Sequence, residues 1–234
     1  MVTTILAKNG SRAPKAKEGG YEKGQDYGSG VLVVAAPNFK TATAQIIGTA
    51  PLMVHRFSKK AELMAKHQAG SRASKGKTDK AARDFDADYE SARYRDVKAG
   101  WDGFNAASIR NAMISACRTA GIKMTQMKLA AFVEADGFDE DGTPLIRIYG
   151  EPAMDVRYAR NQTGVVDLRA RPRFDEWHAK LRIRFDADMI AFPDLANLLM
   201  RAGQQVGIGE GRPDSPKSAG IGYGLFDVVG EIPQ

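Results

Sequence analysis

The chain has 234 residues, 43% of them hydrophobic, enough for one elaborated domain with a substantial core, and its formal charge of +6 favours a polyanionic partner. No apolar run approaches the roughly 20 residues that cross a bilayer, and no secretory-type apolar stretch opens the chain, so a cytoplasmic protein without a membrane partner is expected. Cys117 is the only cysteine, which rules out an internal disulfide and leaves a buried apolar role inside a helical pattern.

Residues 1–29 are rich in Gly, Lys, Ser and Ala and read as a flexible basic N-terminal arm, followed by a single domain over 30–234. "GVLVVAA" predicts a short strand, and "TATAQIIGTAPL" a strand over 42–49 closed by Gly48 and Pro51. A long basic insertion, about 52–100, comes next. Between Pro51 and Arg83 nine Lys and Arg face only Glu62 and Asp79, so this segment alone outweighs the net charge. Within it Ser58 is placed to cap a short helix through His67, and the Gly, Ser and Lys content from Gly70 predicts a surface loop.

"NAASIRNAMISACRTAG" predicts a helix, with Asn105 or Ser108 as cap, an apolar face of Ile109, Ala112, Met113, Ala116 and Cys117, and Gly121 as its stop. "KLAAFVEA" and "TPLIRIYG" predict two strands joined by a turn in "DGFDEDG". "AKLRIRFDA" alternates Leu181, Ile183 and Phe185 with Arg182 and Arg184, the pattern of a half-buried strand. "FPDLANLLMRAG" predicts a helix with Pro193 at its start and Gly203 at its end, and "GLFDVVG" a last strand. Without the insertions the order is strand, helix, strand, strand, helix, strand. The predicted class is α+β, ferredoxin-like (split βαββαβ), an antiparallel sheet with helices on one face.

The glycines of "QQVGIGEGRPDSPKSAGIGYGLFDVV" invite comparison with a nucleotide-phosphate loop, which requires a strand before the glycines and a helix after them. Here a helix comes before and a strand after, which argues against a nucleotide cofactor. Gly220, Gly222 and Gly224, at alternate positions, are instead placed to expose amides to a phosphodiester chain, and Gly207 and Gly209 join Gly220 and Gly222 in the expected binding set.

The stretches "LLMRAGQQVGIGEGRPDSPKSAGIGYGLFDV", "GTAPLMVH" and "FNAASIRNAMISA" resemble the RAMP superfamily, the ferredoxin-like RNA-binding subunits of CRISPR effector complexes. Ser108, Ile109 and Arg110 match the family's lead-in to its first helix, Asn111 stands where that pattern usually has glycine, and the spacer at 210–219 is longer than the family's. A phage-encoded relative is equally compatible. The resemblance implies an oligomer that repeats along a nucleic acid.

Arginines supply the second signal. Arg169, Arg171 and Arg173 alternate, as do Arg182 and Arg184, and each series projects from an extended backbone at about 6.5–7 Å, close to the phosphate repeat of a single strand. With Arg56, Lys59, Lys60, Lys66, Arg72, Lys75 and Lys77 from the insertion, and Arg110 and Arg212, they form the expected nucleic-acid-binding set. Tyr89, Tyr94, Trp101, Phe104, Phe174 and Trp177 lie among these cations, Trp101 and Trp177 being expected in the core.

No catalytic residue, cofactor or metal is expected. His55, His67 and His178 lack metal-ligand spacing, "DFDADYE" has Tyr89 where a calcium loop needs glycine, and Asp136, Asp139, Glu140 and Asp141 read as a solvated turn. The expected function is single-stranded DNA or RNA binding by a homo-oligomer. Two alternatives stand beside it: a metal-independent endoribonuclease using His55 or His67 as base, and a protein-binding assembly or adaptor subunit.

Overall fold

The computed structural model describes residues 35–56, 84–160, 166–215 and 220–229. The chain divides into two compact units, Met1–Pro37 and Asn38–Gln234, and every described helix and strand lies in the second. The arm at 1–29, the helix from Ser58 to His67 and the loop after Gly70 lie outside the described residues, as do Lys59, Lys60, Lys66, Arg72, Lys75 and Lys77. Of the strand expected at 30–36, Ala35 and Ala36 are described and form no strand.

The fold is mixed α+β, with antiparallel sheets and four α-helices among the described residues. The principal sheet has four strands. β1 (Phe39–Gly48) is central, with Ala42 and Ile46 buried on one face. It pairs with β10 (His178–Asp186), whose Ala179, Leu181, Ile183 and Phe185 are buried while Lys180, Arg182 and Arg184 are exposed. β5 (Ala131–Glu134) flanks β10, β11 (Phe226–Val229) flanks β1, and every neighbouring pair is antiparallel. Strict alternation places one complete apolar row on the inner face, and each large side chain buried there contributes about 1.5–3 kcal/mol.

Two helices pack with that row in one core. α2 (Ala107–Ala120) buries Ile109, Ala112, Met113, Ala116 and Cys117, ends on Gly121 at φ 71°, and has its first turn held by Asn105 Oδ1, which accepts from Ala107 N at 2.8 Å. α4 (Phe192–Arg201) buries Leu195, Leu198 and Leu199 behind Pro193. Gly203 does not stop this helix as expected. The chain continues through a π-helical turn, Ala202–Val206, and termination falls to Gly207 at φ 73°; Gly203 serves close packing instead, since a Cβ there would lie 2.2 Å from Phe226 O.

A second sheet is built on the hairpin β8 (Pro152–Arg160) and β9 (Val166–Phe174), with the two-residue β2 (Leu52–Met53) on the far side of β9. α1 (Phe85–Ala92), capped by Asp84 accepting from Ala87 N at 3.0 Å, packs along β9. The acidic "DFDADYE" is thus a helix start. The third sheet joins β3 (Tyr94–Arg95), β4 (Asp102–Asn105), β7 (Pro144–Arg147) and β6 (Gly137–Phe138).

Two expectations need correction. Lys128–Ala130 belong to α3 (Met124–Ala130), whose buried Met127 and Ala130 lie one helical turn apart, so the strand begins at Ala131. That strand does not form a hairpin with 143–150 either; it joins β10, while β6 pairs with β7 through Gly137↔Leu145. Asp139 causes this. Its buried carboxylate accepts from Asp141 N at 2.9 Å and Thr143 N at 2.8 Å, tightening the turn so that the hairpin closes within residues 137–145, and this carboxylate is not solvated.

Candidate functional site

The glycine-rich segment connects the π-turn to β11 and folds on itself. Ile208 N donates to Gly224 O at 3.0 Å and Ile221 N to Gly211 O at 2.8 Å, joining its two arms. Glu210 N donates to Met53 O and Gly224 N to Pro51 O, both at 2.8 Å, docking the segment on β2. Close approach explains two of the glycines: a Cβ at Gly224 would lie 1.8 Å from Ile208 O, and one at Gly209 2.4 Å from Met53 O. Of the glycine amides expected to face a ligand, Gly207 N is consumed by Ala202 O at 2.9 Å and Gly224 N by Pro51 O. Gly209 N and Gly222 N have no acceptor among the described residues. Gly220 and Gly222 lie on the returning arm at φ 66° and 80°.

Between this segment, the exit of β2 and α2 lies a cleft of about 520 Å³. Gly207, Gly209 and Arg212 line one wall, and Ser108, Asn111 and Ser115 the other. Arg118, at the end of the α2 wall, donates to Asp214 at 2.5 Å, and Ser115 Oγ donates to the same carboxylate. The Ser115 hydroxyl and the Arg118 guanidinium hold the Asp214 carboxyl below its usual range. Arg212 donates to Gly209 O at 3.0 Å.

His55 borders the cleft. Its Nδ1 is buried with no partner among the described residues, and burial holds the imidazole below its ordinary range; Glu210 opposes that shift, and Arg169 and Arg171 add to it. Among the described residues no group of three His, Cys, Asp or Glu side chains is arranged to hold a metal ion.

The predicted cations fall into two environments. Arg171 is buried, its side chain 5% exposed, and paired with Glu210, which also has Arg169 at 3.9 Å. Arg173 donates to Asp155 at 2.9 Å and Asp175 at 2.8 Å. Alternation places these three on one face of β9, but they form no open cationic row, because Arg171 is buried and the arginines meet carboxylates. Arg56 is held by Asp139, Glu140 and Asp141 at 3.1, 2.8 and 2.7 Å. Arg182 lies 3.5 Å from both Glu134 and Asp136. Arg110 donates to Ala131 O at 3.0 Å and to Lys128 O. Arg184 is different: it lies over the rings of Phe39 and Phe132, with no carboxylate partner among the described residues.

No protein-family model matches the chain, and no curated protein matches it. The reading of the site therefore rests on its chemistry.

Of the aromatic residues singled out, Phe104, Phe174 and Trp177 are buried, while Tyr94 borders the cleft. Trp101, expected in the core, is only half-buried; its ring leans on the backbone of Gly103 and Gly137 in the third sheet. Ser108, Asn111, Ser115 and Arg118 on α2, and Glu210 and Asp214 on the glycine-rich segment, are cleft residues that the sequence did not place in the site; the first four carry a local pattern. Those four recur every three or four positions opposite the apolar face of α2, a polar stripe at helical spacing that is available as a signal. Phe39 and Phe132 give no such signal, since their proximity depends on strand register.

Proposed function

We propose that the protein is a non-catalytic single-stranded nucleic-acid-binding protein with a RAMP-like, ferredoxin-like core that assembles side by side along the strand. The cleft carries this reading: Gly209, whose amide has no acceptor among the described residues, and Arg212 line it opposite a polar helix stripe ending in Arg118, an arrangement suited to phosphates and sugars. The ferredoxin-like assignment draws support from the strand order β11-β1-β10-β5, antiparallel throughout, with α2 between β1 and β5 and α4 between β10 and β11. Assembly draws support from the edge strand β8, where Met154, Val156 and Tyr158 are exposed in one row.

The test is a titration of labelled single-stranded DNA and RNA at rising salt. Log affinity is expected to fall linearly with log salt, by about 0.7 per phosphate contacted. Absence of binding at low salt, or a flat salt dependence, rejects the reading.

His55 supports a second reading, metal-independent RNA cleavage, because a neutral imidazole beside the cleft is competent as a general base. Intact RNA after prolonged incubation at neutral pH rejects it, and cleavage abolished by His55→Ala supports it.

A further inference from the structure

Among the described residues, the helices leave the outer face of the principal sheet uncovered. Strand register places Thr41 beside Arg184 and Arg184 beside Phe132, with Phe39 one row further along the same face. The Arg184 guanidinium lies 4.9 Å from the Phe39 ring centroid and 5.6 Å from that of Phe132; the rings are 6.0 Å apart at 58°. On the sheet edge Arg110 caps Phe132 at 4.9 Å. Phe132 is thus occupied by two cations, whereas Phe39 carries one and is 39% exposed.

The Phe39 ring, at the first residue of β1, keeps 39% of its surface exposed, and the guanidinium above it has no carboxylate partner among the described residues. The acids nearby are engaged elsewhere: Asp186 accepts from Asn38 N at 3.3 Å and Asp188 N at 3.0 Å, and Glu134 and Asp136 face Arg182. What remains is a half-exposed aromatic plane with a fixed cation at its margin and exposed Thr41 and Thr43 beside it. An open antiparallel sheet carrying exposed rings is a general solution for stacking unpaired bases, with the adjacent guanidinium meeting a phosphate.

We propose that Phe39 and Arg184 form a nucleobase-stacking contact on the open sheet face, separate from the cleft that takes the strand's backbone. This rests on the nucleic-acid reading given above. The cleft is built from α2 and the glycine-rich segment on the helix side, so the two surfaces are distinguishable by substitution.

The experiment uses the full chain with oligo-dT and oligo-U. In Phe39→Trp, the emission beyond that of the two native tryptophans is expected to be quenched on binding. Phe39→Ala is expected to weaken binding about 10-fold with an unchanged salt slope, as loss of one stacked base does. Arg184→Ala is expected to lower the slope by about 0.7. Arg212→Ala, in the cleft, added to Phe39→Trp should weaken binding while leaving the quench of the introduced indole at saturation intact. If the native protein binds but Phe39→Trp is not quenched and Phe39→Ala binds equally, the stacking contact is overturned and the nucleic-acid reading stands. If the native protein does not bind at low salt, both fall.

Discussion

Asp214 and Ser115 join the tip of the glycine-rich segment to the polar stripe of α2 across 99 residues of sequence, and Arg118 adds an ion pair to the same carboxylate. This closes one end of the cleft. The carboxyl is held below its usual range, so its contribution to stability is full above the unfolded value of about 3.9 and is lost as pH falls through the depressed native value. Both partners are partly solvated, so the pair contributes no more than about 1 kcal/mol. Asp214→Asn is expected to leave global stability nearly unchanged while adding a new site of limited proteolysis next to residue 214 and weakening oligonucleotide binding. A cleavage pattern identical to that of the native protein would show that the contact does not hold the segment.

His55 sets a second pH dependence with the same sign. Burial places its native pKa below the ordinary 6.5, so the unfolded chain takes up a proton more readily than the folded one. Stability is full above about pH 6.5 and declines as pH drops through the interval between the unfolded and native values. His55→Gln removes this decline. Urea unfolding at pH 7.5 and 5.5 should show a smaller difference between the two pH values for the variant than for the native chain; equal differences would mean that the imidazole is solvated in solution.

Arg171 is the buried cation of the predicted binding set, and Glu210 is its counter-ion, so removing Glu210 exposes the cost of the guanidinium. Glu210→Ala leaves a guanidinium 5% exposed without its counter-ion and is expected to cost about 3 kcal/mol in denaturant unfolding. The double variant Glu210→Ala/Arg171→Met should recover most of that loss, because an apolar side chain of similar length needs no partner. A double variant as unstable as the single one would place the cost elsewhere.

Local pattern carried much of this structure and tertiary pairing carried the rest. The apolar face of α2, its Gly121 stop, and the alternation of β10 depend on neighbours within a few residues, and each is found where the sequence places it. The fate of the arginines was not legible in the same way. Arg171 and Glu210 are 39 residues apart, and nothing local to "DLRARPRF" indicates that the glycine-rich segment brings a carboxylate to this face of β9. An alternating cationic row reads identically whether its face meets solvent or a carboxylate. The apolar run at 127–133 is ambiguous for another reason: a helix turn and a short strand share the same composition, and only the burial of Met127 with Ala130 separates them. The glycines report the packing of two backbone arms as much as any ligand, a distinction visible only once Gly224 is seen against Ile208.

The exposed row on β8 gives the assembly reading a direct test. Met154, Val156 and Tyr158 are 40, 44 and 75% exposed and point to one side of the hairpin. Their cross-strand neighbours Pro172 and Ala170 on β9 are buried, so the apolar face of this hairpin is covered on its β9 side and bare along β8. Single exposed apolar residues are ordinary, but three in register along an unpaired edge mark a surface that gains from being covered. Val156 and Tyr158 are both exposed, and substituting each with lysine is expected to change stability by about 0.5 kcal/mol. Val156→Lys/Tyr158→Lys should therefore fold normally and bind a short oligonucleotide with native affinity. On a long single strand the same variant should bind without cooperativity, and light scattering should show fewer subunits per strand than for the native protein. Native cooperativity and native mass in the double variant would exclude β8 as the contact between subunits, and would direct the search to the glycine-rich segment, where Ile221 is also exposed.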